Sequence, residues 1–251
     1  MNLITKSLSI LVSATLFSGL LLRAQEAPDY SDYEKLLETY VTEDGVCYAA
    51  WSENEDDVTV LNAFVEHLGQ VDFNALPEAE QIAFYINLYN AAMLKIVLEN
   101  YPIESVTKIG ILPFSVFKKD QIQLGDGKVS LDEIEKGILL NKYFDPRIHF
   151  AVNCASESCP PLRTEPFTGS QLEEQLKEQT ELFAESKRAV RIDEANRNIA
   201  YSELFKWYAD DFEVKNPAEY LNQFRSEALP KNYSVEWIPY DWSLNEIEKD
   251  K

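Results

Sequence analysis

Between Pro77 and Pro102 the chain has a stretch with room for one long helix and little else. Proline starts helices well and cannot continue them, so the pair predicts a helix over residues 78–100. Its apolar positions include Ile82, Tyr85, Ile86, Tyr89, Met93, Ile96 and Val97. They cover most of the circumference rather than one stripe. A helix that is apolar nearly all round belongs inside a protein, so the rest of the chain must wrap it. Asn87 and Asn90 lie three residues apart on one face of it. Buried amides need partners, so they either tie down a neighbouring loop or point into a cleft.

Around that helix the local signals alternate between helix and hairpin. Ser31 opens a helix to about residue 41, and Asp44-Gly45 makes a turn. A second helix fits residues 57–68, with the acids of residues 53–57 at its positive end. Those acids lack the ligand spacing of a calcium loop and read as helix-end electrostatics. Residues 121–129 read as a hairpin about Gly125-Asp126-Gly127. Ser130-Leu131-Asp132-Glu133 is a capping box for a helix to about residue 140, which assigns Glu133 to the cap and leaves Glu135 free to face a site. Ser170-Gln171-Leu172-Glu173 is a second box, for a helix to about residue 183.

A hairpin is predicted about Asn196-Arg197-Asn198, a short helix capped by Ser202, and another opened by Asn216-Pro217. A strand follows at residues 235–239. No repeat or linker divides the chain. The expected fold is one α+β domain over residues 25–251, a central buried helix on a small mixed or antiparallel sheet with several surrounding helices.

The first residues read as a secretory signal over residues 1–24. Lys6 supplies the positive start, and residues 8–22 are apolar and uncharged. The chain is therefore expected to be exported, to the periplasm or beyond, with no segment after the leader long and apolar enough to span a bilayer. The net charge of −20 deepens once Lys6 and Arg23 are removed. Such acidity opposes binding to nucleic acid.

Chemistry concentrates at residues 147–163. Ile148-His149-Phe150-Ala151-Val152 is an apolar run and reads as a buried strand. It leads into a corner of small residues holding Cys154 and Cys159, two of the three cysteines. Cys47, in an apolar run of its own, reads as a small core residue, and His67 as a surface residue on the second helix.

Two readings of the corner stay open. In the first it is a thiol-dependent hydrolase or acyl transferase. His149 is then the base, Cys154 or Cys159 the nucleophile, and Asn87, Asn90 or Glu135 the orienting group. Strand alternation would put His149 and Cys154 on opposite faces, so a return at residues 155–158 would be needed to bring Cys159 beside His149. Redox exchange is a variant of this reading. In the second, Cys154 and Cys159 form a disulfide that pins the corner of a non-catalytic extracellular binding or structural domain, with His149 a hydrogen-bonded core residue. A metal on His149, Cys154 and Cys159 fits poorly, because the spacing is unlike structural zinc sites and a fourth ligand is missing. No cofactor is expected, and the substrate or ligand is open.

The chain resembles domain-of-unknown-function family 547, of the exported bacterial type. The likeness rests on Phe84-Tyr85-Ile86-Asn87-Leu88-Tyr89-Asn90-Ala91, on residues 130–135, on residues 145–156 with Ser158-Cys159-Pro160-Pro161-Leu162, and on Tyr240-Asp241-Trp242-Ser243-Leu244-Asn245. A central helix followed by a histidine strand is also similar to the papain and transglutaminase layout. That layout opens its helix with a cysteine, whereas this helix has asparagines.

Overall fold

The computed structural model describes residues 27–248, so the predicted secretory leader lies outside the described residues. The chain folds as a single α+β domain. Helices α1 (Ser31–Tyr40), α2 (Tyr48–Ser52) and α3 (Glu55–Leu68) precede the long α4 (Glu78–Asn100). After the short α5 (Ser115–Lys118) comes the hairpin β1 (Ile122–Leu124) and β2 (Gly127–Val129). A π-helix (Glu133–Leu140) runs into α6 (Asn141–Tyr143), followed by α7 (Ile148–Ala151) and α8 (Leu172–Glu185). The last third holds β3 (Val190–Asp193), β4 (Asn198–Ser202), α9 (Leu204–Trp207), α10 (Pro217–Leu221) and β5 (Ser234–Ile238).

Every residue of α4 from Ala83 to Leu94 is buried. Helix α4 is long and apolar enough to cross a bilayer by length and composition, unlike the expectation from sequence. Its sides are nevertheless taken up by α2, α3, α8 and the π-helix. Stacked rings, such as Tyr33 on Phe64 at 4.7 Å and Tyr40 on Trp51 at 4.6 Å, close the N-terminal helices over it. The predicted caps largely form. Ser130 accepts from the Glu133 amide, Ser202 from the Leu204 amide and Asn216 from the Ala218 amide. Helix α3 starts two residues before the predicted residue 57, because Asn54 accepts from the Asp57 amide and caps it.

Two caps differ. Helix α1 starts at Ser31 itself, and Asp29 accepts its amide at 2.9 Å. At α8 the box does not close, because Glu173 is held by Arg147 at 2.7 Å and the helix begins at Leu172.

A second apolar cluster gathers Phe150, Phe183, Phe205, Phe212 and Tyr220 beside the three-stranded sheet. The sheet is mixed. β3 pairs antiparallel with β4, Val190 opposite Tyr201, and β4 pairs parallel with β5, Asn198 opposite Ser234.

The short helix α7 joins the two clusters. Ile148 and Ala151 enter the α4 core, while Phe150 enters the second. This corrects the strand expected at residues 148–152. Asp145 accepts from the Arg147 amide at 2.9 Å, and Pro146 fits a first turn, so the apolar run coils once before Val152 becomes extended. A short apolar run carries no periodicity long enough to separate a buried strand from a buried helical turn.

Candidate functional site

The segment after α7 has almost no regular structure and is buried, so its backbone groups need side-chain partners. Amides supply them. Asn90 donates to the Ala151 carbonyl at 2.9 Å and accepts from the Asn153 amide at 2.8 Å. Asn87 donates to the Phe167 carbonyl at 2.7 Å and accepts from its amide at 2.9 Å. Asn153 donates to the Pro160 carbonyl at 2.8 Å, Gln175 to that of Pro166 at 2.9 Å, and Gln179 to that of Pro161. Asn87 and Asn90 thus serve backbone from α4, and neither lines the cleft described next.

A cleft of about 420 Å³ opens between the π-helix, α7, the corner after it and the C-terminal segment. Glu135, His149, Cys154 and Cys159 all line it. The π-helix brings in Glu135, whose carboxylate takes hydrogen bonds from Tyr208, at 3.3 Å, and from Tyr89. Wider turns of this kind recur where a helix must re-aim one side chain. Burial holds the Glu135 carboxyl above its ordinary range, against the opposing pull of Lys136 and the two tyrosines, with Asp132 adding to the rise. Lys136 is itself paired with Asp132 at 2.8 Å.

His149 is buried, and its Nε2 lies 2.8 Å from Asp211 Oδ2. Its ring packs on Tyr208 with centroids 4.0 Å apart. Burial lowers its pKa below 6.5, and the hydrogen bond and charge of Asp211 oppose that shift. The imidazole is therefore neutral at pH 7, with its proton on Nε2 toward the carboxylate and its lone pair on Nδ1.

The sign of the pH effect follows. As pH falls through 6.5 an unfolded His149 takes up a proton while the native one resists, so stability present above 6.5 is lost on acidification until the native imidazole also titrates. Glu135 slopes the other way, its contribution fading as pH rises above 4.5 through its raised native value. Urea midpoints of wild type and His149→Gln should therefore converge as pH is lowered below 6.5. Parallel curves would show that His149 is not the group responsible.

Cys154 and Cys159 form a disulfide with Cα atoms 6.3 Å apart. In this state neither sulfur is a thiol, and His149 Nε2 addresses Asp211 rather than sulfur. Ser156 Oγ lies 3.0 Å from Cys154 Sγ and donates to Tyr240 Oη at 3.1 Å. Tyr240 Oη reaches each sulfur at 3.4 Å. The Cys154 amide donates to Cys159 Sγ at 3.0 Å. Trp207, Tyr240 and Trp242 form an aromatic wall beside the disulfide, with Tyr240 4.9 Å from Trp207 and 4.6 Å from Trp242. Cys47 is buried in the α4 core, and His67 is exposed. Among the described residues no cluster of three or more His, Cys, Asp or Glu side chains could hold a metal.

Sequence reasoning missed Tyr89, Tyr208, Asp211 and the wall. Tyr89 was visible as one turn from Tyr85 on α4, and Tyr240 and Trp242 as the ends of one motif. Asp211 carries no local signal.

Residues 73–184 match the family model described as "Protein of unknown function, DUF547". This stretch is a DUF547 domain. The DUF547 match takes in α4, the π-helix, α7 and the disulfide corner. Trp207, Tyr208, Asp211, Tyr240 and Trp242 lie beyond it, so the cleft is built from both parts of the chain. No curated protein and no solved structure matches the chain.

Proposed function

We propose that this chain is an exported binding domain, periplasmic or secreted, whose cleft takes a small organic cation with an apolar body. The observation that carries the reading is Glu135, a carboxylate held by two tyrosines in the wall of an aromatic cleft. Ring faces attract cations and more so where water is excluded. A cation beside Glu135 would offset the burial that raises its pKa. The net charge of −20 favours approach of cations over anions. The leader-like residues 1–24 support export, and the disulfide accords with an oxidising compartment.

A thiol hydrolase at this cleft would need a thiolate beside an imidazole. The sulfurs are bonded to each other and His149 is turned to Asp211, so binding takes precedence.

The test is a titration of tryptophan fluorescence, which Trp207 and Trp242 report from the cleft. Phenethylamine should bind about tenfold more tightly than 2-phenylethanol, its uncharged isostere. The preference should vanish in Glu135→Gln and weaken in wild type as acid protonates Glu135. Equal affinities in wild type would reject the cation reading.

A further inference from the structure

The disulfide adds little to holding the corner in place. The Asn153 side-chain Oδ1 accepts the Ala155 amide at 2.8 Å, and Asn90 fixes the Asn153 backbone. Glu157 and Ser158 donate their amides to the Ser243 and Asp241 carbonyls at 2.8 and 3.2 Å, and the Asn245 amide bonds to Ala155. Closing a loop with a sequence separation of 5 adds only about 2 kcal/mol in the chain-entropy model. The two sulfurs are nevertheless turned to a cleft and ringed by polar hydrogens.

The two sulfurs differ. Cys154 is partly exposed, whereas Cys159 is buried. Cys159 Sγ receives the Cys154 amide at 3.0 Å and the Tyr240 hydroxyl at 3.4 Å, and that hydroxyl is itself backed by Ser156. These are the donors a departing thiolate requires, because hydrogen bonds to the charged form lower a thiol's pKa and a lower pKa leaves faster. Burial raises the Tyr240 pKa, so its hydroxyl keeps the proton it donates.

We infer that Cys154–Cys159 is a thiol–disulfide exchange centre for a small cationic aminothiol; the charge preference rests on the proposed cation site. The incoming thiolate attacks Cys154 Sγ and forms a mixed disulfide. The Cys154–Cys159 bond breaks, and Cys159 leaves with the electron pair as a thiolate held by the Cys154 amide and Tyr240. A second thiolate then attacks the sulfur of the bound compound and releases Cys154 as thiolate. In all, two thiols become one disulfide, two electrons pass to the protein, and the protein disulfide becomes two thiols. Each thiolate takes its proton from water.

The mature chain is mixed with cysteamine or with 2-mercaptoethanol, its uncharged isostere, at equal thiolate concentration. The reaction is then quenched with an alkylating agent and mapped by peptide mass. The expected adduct is on Cys154, with the alkyl group on Cys159. Both thiols should react faster with the native chain than with the urea-unfolded chain, and cysteamine about tenfold faster than 2-mercaptoethanol on the native chain only. Tyr240→Phe should slow the native reaction about tenfold and leave the unfolded one unchanged. Ser156→Ala, which withdraws the support behind Tyr240, should slow it less.

A native chain slower than the unfolded one, as a purely structural disulfide would be, or an adduct on Cys159, overturns the exchange centre. In that case phenethylamine binding can still stand. Equal native rates for the two thiols overturn the aminothiol assignment, and the phenethylamine titration reports separately whether the cation site fails with it.

Discussion

Asn90→Ala should lose about 3 kcal/mol or more of stability. The substitution strips partners from the Ala151 carbonyl and the Asn153 amide, both buried and without access to water. Each unsatisfied buried backbone group costs about 1–3 kcal/mol, and the void left by the amide adds to that. For a chain of this length the melting temperature should fall by roughly 10 °C.

Asn90→Asp separates the two bonds. An ionised carboxylate still accepts from Asn153 but cannot donate to Ala151, and it buries a charge. Its destabilisation should therefore deepen as pH rises through the carboxyl pKa, whereas that of Asn90→Ala should not. A loss below about 1 kcal/mol in calorimetry of Asn90→Ala would show that the corner holds itself without α4.

Phe150→Ala should cost about 3–5 kcal/mol, in the range for emptying a large aromatic site in a packed core. The Phe150 ring lies 5.0 Å from Phe183 and 5.7 Å from Phe212, and it is the residue through which α7 enters the second cluster. The effect should spread to the cleft. Phe212 also touches the His149 ring, at 5.4 Å, and adjoins Asp211. Loosening Phe212 should free His149 from burial and raise its pKa toward 6.5, readable from the imidazole resonances by NMR. A destabilised variant with an unmoved His149 would show that Asp211 is placed by something other than Phe212.

The parts legible in the sequence were those set by neighbours along the chain. Pro77 and Pro102 bounded α4, and Ser130, Ser202 and Asn216 marked helix starts by side-chain bonds two or three residues on. Gly125, at φ +57°, marked the first hairpin turn. His149 was picked out as a chemical residue but set on the wrong element, since Asp145 and Pro146 coil a run whose composition also suits a strand.

The disulfide was one of two open readings, because sequence distance does not report the compartment or the geometry of a cysteine pair. Asp211, 62 residues from His149, meets it only through the packing of the second cluster.

The last described strand of contacts reaches back across the whole chain. Val46 donates its amide to the Asn245 carbonyl, Ile247 donates to the Val46 carbonyl, and the Tyr48 hydroxyl bonds to the Asn245 side chain. The same short segment carries Tyr240 and Trp242 into the cleft and zips along the corner at Ala155, Glu157 and Ser158. A ribosome makes these residues late, after both cysteines have emerged. Until they arrive the sulfurs lack their tyrosine and the wall is absent. The cleft is therefore completed only once this segment has been made, and a chain moved across a membrane unfolded would gain its site only on the far side.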